Sequence, residues 1–312
     1  MDTLAELELA IGATRHGSGR PKLATRVRLH GLEALHHVLE QLDSRTRSGV
    51  RDEAARLADR GVTAILRGST KYPRLLDLLE NAPPVLFALG NTSLLSKPGI
   101  GVCGSRNVSD GGLRAARTCG QIAATQGLVS VSGYARGVDT ATHVSTLEHG
   151  GTTIIVLPEG IQDFKVKRGE ISTVWGPSQT LVVSQFSPTQ PWTTGGAMTR
   201  NNVIIGLSLA LVVVEAGETG GTLAAGKRAL ELGRRVIALE FARTPRGNSM
   251  LVERGAVAAR DKIELESFLH EIQYVADEPQ WPDDAAAQDT LIPDCRPGPP
   301  WMERPRVARP AQ

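Results

Sequence analysis

The sequence predicts an α/β fold in which a mostly parallel sheet carries helices on both faces, preceded by a small helical region. Three observations predict it. Six short apolar runs, at 100–103, 128–132, 153–157, 181–184, 210–214 and 235–239, are separated by stretches of helical period. These runs are continuous and rich in valine, isoleucine and leucine, which marks strands covered on both faces. Glycine-rich turns join strand to helix at Gly104-Ser105-Arg106, at Ser132-Gly133-Tyr-Ala-Arg136 and at Glu215-Ala-Gly-Glu-Thr-Gly-Gly-Thr222. Sheets of this kind present their ligand sites at the carboxyl ends of the strands, so those turns mark the edge to inspect.

Composition sets bounds. With 312 residues and 41% hydrophobic content, the chain can form one large α/β domain with a smaller attachment. Thirty-five basic against 33 acidic residues leave a net charge of +2, so a polyanion partner would have to meet a local basic patch. An aromatic share of 4% counts against binding by long rows of stacked bases. Cys103, Cys119 and Cys295 have no metal-ligand spacing, and Cys103 and Cys119 read as reduced structural thiols. No signal arrangement and no apolar run of membrane-spanning length stand out, so a cytoplasmic protein without a membrane partner is expected. No cofactor and no metal are expected.

Residues 1–70 read as the helical region. Leu32, Leu35, Val38, Leu39 and Leu42 recur at helical spacing, as do Ala54, Ala55, Leu57 and Ala58. Between them and the start, Arg15-His-Gly-Ser-Gly-Arg-Pro-Lys22 reads as a basic loop. Residues 71–270 form the sheet domain. Its first strand, Ala82-Pro-Pro-Val-Leu-Phe-Ala-Leu-Gly90, begins with prolines and is expected at a sheet edge. Residues 186–202, rich in proline, threonine and glycine, suit an ordered loop or lid, followed by a helix from about Thr199. Residues 271–312 turn to proline, aspartate and arginine without periodicity and read as a disordered tail.

The chemistry-bearing residues gather at the strand ends. Gly104, Ser105 and Arg106 follow a strand and precede a helix, where bare amides, a hydroxyl and a guanidinium suit an anion, although a steric need for glycine explains the turn equally well. Asp139 is expected to cap the helix that carries His143. A catalytic Asp139–His143 pair is one reading of that helix, and a histidine fixed against the sheet edge is the preferred one. Glu215 suits a ribose contact, a general base or, preferably, a salt bridge to the Arg200-Asn201 segment. Gly220 and Gly221 permit close backbone approach, and Thr222 suits a helix cap or a phosphate. Arg106, Arg136, Lys167 and Arg200 are expected to converge on one rim, as contact with a phosphodiester backbone requires.

The order of these motifs resembles the DNA-processing protein A family (DprA, also called Smf). The resemblance runs from Tyr72-Pro73 through Gly104-Ser105-Arg106, 132–139, His143 and 150–157. It continues through Arg200-Asn201-Asn-Val-Ile-Ile-Gly-Leu-Ser208, Val214-Glu215-Ala216, 221–225 and Gly247-Asn248. It implies a Rossmann-like domain that binds single-stranded DNA without catalysis, protects incoming strands in natural transformation and helps load a RecA-type recombinase. It also implies a homodimer. By that resemblance, Gly104, Ser105 and Arg106 hold backbone phosphates, and Ser132, Gly133 and Arg136 line the adjacent strand end. Lys167 adds a basic contact, and Arg200 and Asn201 organise the pocket floor, with Asp139, His143, Glu215, Gly220, Gly221 and Thr222 around it. The chain departs from the family pattern at Phe164-Lys-Val-Lys167, at Asn202 and at Glu240-Phe241.

A nucleotide sensor or nucleotide-processing protein on the related fold, in a defence system for example, is the alternative. The phosphoribohydrolases with that fold use Pro-Gly-Gly-x-Gly-Thr-x-x-Glu with a catalytic glutamate. Residues 215–222 only echo the motif, and Ala225 stands where the glutamate belongs.

Overall fold

The computed structural model describes residues 2–17, 20–166 and 169–277. Four helices come first: α1 (Thr3–His16), α2 (Arg20–His30), α3 (Glu33–Glu40) and α4 (Ser44–Asp59). Then β1 (Val62–Leu66), the short α5 (Arg74–Asp77) and β2 (Val85–Gly90) lead into the alternating part. That part comprises β3 (Gly99–Cys103), α6 (Asp110–Thr125), β4 (Val129–Ser132), α7 (Val138–Glu148), β5 (Thr152–Val156), α8 (Gly169–Val174) and β6 (Thr180–Ser184). It continues with α9 (Thr194–Gly206), β7 (Ala210–Val213), α10 (Gly221–Glu231), β8 (Arg235–Leu239), α11 (Arg246–Val252), β9 (Val257–Ala259) and α12 (Lys262–Asp277).

The nine strands form one sheet in the order β1-β2-β6-β5-β4-β3-β7-β8-β9. From β6 to β9 every pairing is parallel, whereas β2 runs antiparallel to both β1 and β6. Strand order reverses between β4, β3 and β7, the switch point where a doubly wound sheet opens a crevice. The mostly parallel α/β architecture is thus the one that the sequence predicts.

Both faces are covered, as the continuous apolar runs require. In β2, Leu86 and Ala88 enter one core while Val85 and Phe87 enter the other. The second core also takes Leu7, Ile11, Leu35, Val50 and Leu57, so the N-terminal helices are packed directly on the β1–β2 end of the sheet. On β4 the pattern is mixed. Val131 is apolar on one face, while Ser130 and Ser132 are fully buried on the face towards α6 and α7.

Five expectations about the scaffold need correction. Residues 62–66, included in the helical region at 1–70, are the edge strand β1. The strand that begins with prolines is interior, because Pro83 and Pro84 precede Val85 and take no N–H out of the β2 ladder. Helix α9 begins at Thr194, not near Thr199, because the Thr193 hydroxyl accepts from Gly196 N at 2.9 Å and closes the helix start. The expected loop at 15–22 shrinks likewise, since α1 runs to His16 and α2 starts at Arg20. Helix α12 runs to Asp277, past the expected start of the tail, and residues 278–312 lie outside the described residues.

Candidate functional site

Two strand-to-helix turns, after β3 and after β4, are packed against each other at the carboxyl edge of the sheet. Gly137 has φ of +89°, and a Cβ there would come within 2.6 Å of the Ser105 carbonyl oxygen. A Cβ at Gly104 would collide with Val138. Glycine at both positions therefore lets the turns touch, and Val138 N reaches the Ser105 carbonyl at 3.5 Å. The Ser105 hydroxyl accepts from Asn107 N at 3.0 Å, which tightens the turn that presents Arg106.

This contact places Arg106 and Arg136, both exposed, on the wall of an open cleft of about 490 Å³ that also includes Arg117, Thr140 and Glu170. Arg117 pairs with Glu148 at 3.8 Å and Glu170 at 3.5 Å. Arg106 and Arg136 have no ion pair within 4 Å among the described residues. The Arg106 guanidinium lies 5.9 Å from the ring centroid of Trp192, a cation–π distance.

Behind the turns lies a buried polar layer. Arg200, from the middle of α9, is only 6% exposed and sits against Gly133, where any Cβ would run into its guanidinium. Its Nε has no hydrogen-bond partner among the described residues. Burial lowers its pKa, with Asp139 opposing that shift. Asp139 is itself buried; desolvation raises its carboxyl pKa, against the pull of Arg200, the Ala135 amide, Ser132 and Arg106. His143 is fully buried, with Nε2 2.6 Å from the Gly133 carbonyl oxygen and Nδ1 2.6 Å from Thr153 Oγ1. A carbonyl only accepts, so Nε2 carries the proton of the neutral ring and Nδ1 is left as an acceptor facing the Thr153 hydroxyl, whose one proton is shared between Nδ1 and the Ser130 carbonyl. Desolvation pushes the His143 pKa down to about 4, and the nearby Arg200 adds to the effect against the opposing Gly133 bond. The ring is neutral at physiological pH and fixes the carbonyl at the end of β4. Ser130, Thr146 and Thr153 complete the network through contacts of 2.7 to 2.9 Å.

Several expected roles change in this setting. Asp139 does not cap α7. The helix starts one residue earlier with Gly137 as its cap, and the carboxylate turns back to accept from Ala135 N at 3.3 Å. The Asp139–His143 catalytic pair is not formed, since both imidazole nitrogens are engaged elsewhere. Ser132 is fully buried, and its hydroxyl donates to the Val102 carbonyl at 2.6 Å; it joins two strands and does not face the cleft. Glu215 makes no salt bridge with the Arg200-Asn201 segment. Its carboxylate accepts from Ser109 N at 3.0 Å and from the Ser109 hydroxyl, at the N-terminus of α6, where the helix dipole favours negative charge. Gly112 leaves room for that approach. Gly220, with φ of +104°, takes the cap position of α10 that Thr222 was expected to fill, and Gly221 lies close to Met198 of α9. Asn201 is half-buried beside Arg200. Lys167 lies outside the described residues.

Other residues of this edge carried no sequence signal. Arg117 sits in an ordinary helical pattern, and Trp192 in a proline–threonine stretch. Asn248 is fully buried, accepts from Ala216 N at 2.8 Å and donates to the carbonyls of Val214 and Leu239 at 2.9 and 2.8 Å. It thereby fixes the turn after β7, a task that its place in Gly247-Asn248 does not reveal. No group of three or more potential metal ligands exists among the described residues. No helix among them is long and apolar enough to cross a membrane.

A sequence profile described as DNA recombination-mediator protein A matches residues 63–271, from within β1 into α12. The chain belongs to that family. The DNA processing protein DprA of Streptococcus pneumoniae is 36% identical over 168 residues, covering 54% of this chain and 59% of that protein. DprA of Bacillus subtilis is 32% identical over 205 residues, 64% of this chain and 69% of that one. Protein Smf of Escherichia coli is 31% identical over 217 residues, 67% of this chain and 57% of the relative. The chain therefore spans less than two thirds of the length of the pneumococcal and E. coli proteins. The X-ray structure of S. pneumoniae DprA superposes with a TM-score of 0.66 at 24% identity, over 86% of this chain and 98% of that one, which shows a shared fold. DprA of Helicobacter pylori, described for its single-stranded DNA binding mode, gives a TM-score of 0.59 at 22% identity over 67% and 96% of the two chains. The DNA recombination-mediator protein A family is thus the frame for the site.

Proposed function

We propose that this chain binds single-stranded DNA through its sugar–phosphate backbone at the paired turns after β3 and β4. The observation that carries the reading is the state of Arg106 and Arg136. Both are exposed on adjoining turns, share one open cleft and have no carboxylate partner within 4 Å among the described residues. Exposed cations without a carboxylate within 4 Å suit phosphates and carry no sequence information. Family membership extends the reading: a homodimer that protects the strand and passes it to a RecA-type recombinase during DNA uptake, without catalysis. The nucleotide-processing alternative is disfavoured, since Glu215 is held at the start of α6 and Ala225 replaces the glutamate of the related enzymes.

Fluorescence anisotropy with labelled oligo-dT and the matching duplex tests the proposal. The single strand binds in preference to the duplex, and affinity falls steeply with salt. Arg106→Ala and Arg136→Ala each weaken binding about fivefold on strands of any sequence and lower the salt slope by about 0.7, the share of one phosphate on a single strand. Failure to bind either nucleic acid, or a loss confined to one sequence, overturns it.

A further inference from the structure

We infer that Trp192 is a stacking platform for one nucleobase, next to the phosphate site of Arg106. The inference rests on the single-strand reading above and specifies what the strand's bases meet. Among the Phe, Tyr and Trp side chains whose exposure is described, Trp192 is the exposed one, with 47% of its surface open, in a chain of which only 4% of residues are of these types. An exposed residue just before a helix cap often packs back on the first turn as an apolar staple. Here the position one turn on is Ala197, too small to cover an indole, and Gly195 and Gly196 lie between. Residues 191–195 are all exposed.

The backbone that carries the ring is nonetheless anchored on both sides. On one side, Gly160 N donates to the Gln190 carbonyl at 2.8 Å and Gln162 N to the Pro188 carbonyl at 3.0 Å. On the other, Thr193 caps α9. The intervening Pro191 restricts the backbone. A half-open indole on an anchored backbone loses little freedom when a flat partner lands on it. Arg106 supplies the choice of partner: its guanidinium lies 5.9 Å from the ring centroid, so the indole adjoins a cation that has no carboxylate within 4 Å among the described residues. A base on the ring and a phosphate on Arg106 are the two halves of one nucleotide. An apolar peptide or a lipid tail would leave that cation unmatched.

The test compares wild type, Trp192→Ala and Trp192→Phe on three probes: oligo-dA, oligo-dT and a strand of the same length carrying abasic sugar–phosphate units. Trp192→Ala weakens oligo-dA and oligo-dT binding roughly 5- to 150-fold, the range for one stacked base, with the larger loss on the purine strand. Abasic-strand binding stays within twofold of wild type, and Trp192→Phe restores most of the loss. An equal loss on abasic and base-bearing strands would overturn the inference and assign Trp192 to positioning Arg106. Unchanged binding in Trp192→Ala overturns it outright. If wild type binds the abasic strand but gains nothing from bases, the inference fails while backbone recognition stands. If wild type binds no strand at all, the parent reading fails first.

Discussion

The turns after β3 and β4 and the turn after β7 are spelled in the same alphabet of glycine, hydroxyl and charge, yet they are built for opposite ends. In the first two, glycines bring backbone against backbone, at Gly137 on Ser105 and at Gly104 on Val138, and the arginines are left facing outward. In the third, the charged residue faces inward: Glu215 clasps Ser109, and Asn248 ties the chain beneath it. A glycine-rich turn is thus a scaffold in both cases. The proposed binding turns differ from the third in that Arg106 and Arg136 have no carboxylate within 4 Å among the described residues, whereas Glu215 is held by Ser109.

Three perturbations break or sharpen that contrast, from the largest expected effect down. The strongest acts through His143, which holds the Gly133 carbonyl. Its folded pKa of about 4 lies below the unfolded value near 6.5, so its contribution is complete above pH ~6.5 and disappears as pH falls towards 4. The full shift corresponds to about 3 kcal/mol. Denaturant titrations between pH 4 and 7 show this loss in wild type, and His143→Gln flattens the acid limb. A wild-type stability unchanged over that range would contradict a neutral, buried imidazole.

Next, Gly133→Ala forces a methyl group against the Arg200 guanidinium. A cost of about 1–3 kcal/mol is expected from overpacking, together with a marked loss of single-strand affinity as Arg200 is displaced beneath the arginine pair. The smallest effect is that of Glu215→Ala. Losing the clasp on Ser109 costs about 1–2 kcal/mol in thermal or denaturant unfolding, while single-strand affinity stays within about twofold. If Glu215→Ala abolished binding and Gly133→Ala left it intact, the roles of the two turns would be reversed.

Much of this was legible in the sequence, and the limits have physical causes. Apart from β4, whose serines alternate with valines, strands β3 to β8 announce themselves because burial on both faces favours apolar runs. The positions of Arg106 and Arg136 in strand-to-helix turns were legible for a related reason, since each lies a few residues after a run that reads as a strand. Strand β1 was not, because an apolar stretch that follows a helix reads equally well as more helix until its partner β2 is known. The roles of Asp139 and Glu215 were misjudged because each carboxylate satisfies a backbone amide on a neighbouring turn, a relation fixed by packing and invisible to local spacing. Trp192 gave no signal because its meaning lies in Arg106, 86 positions earlier in the chain.

The antiparallel insertion of β2 has a consequence for how the chain comes together. Strand β2 rests on β6, with Phe87 opposite Ser184, so the β1–β2 hairpin and the helices packed on it have no seat until almost a hundred further residues have been made. During synthesis the N-terminal helices must therefore wait as an unanchored cluster while β3 to β5 assemble, and their docking is a late, long-range step of high contact order. Conversely, a chain trimmed to begin at Gly99 would leave the apolar Leu181-Val-Val-Ser184 strand as a bare sheet edge, an invitation to pair with another copy.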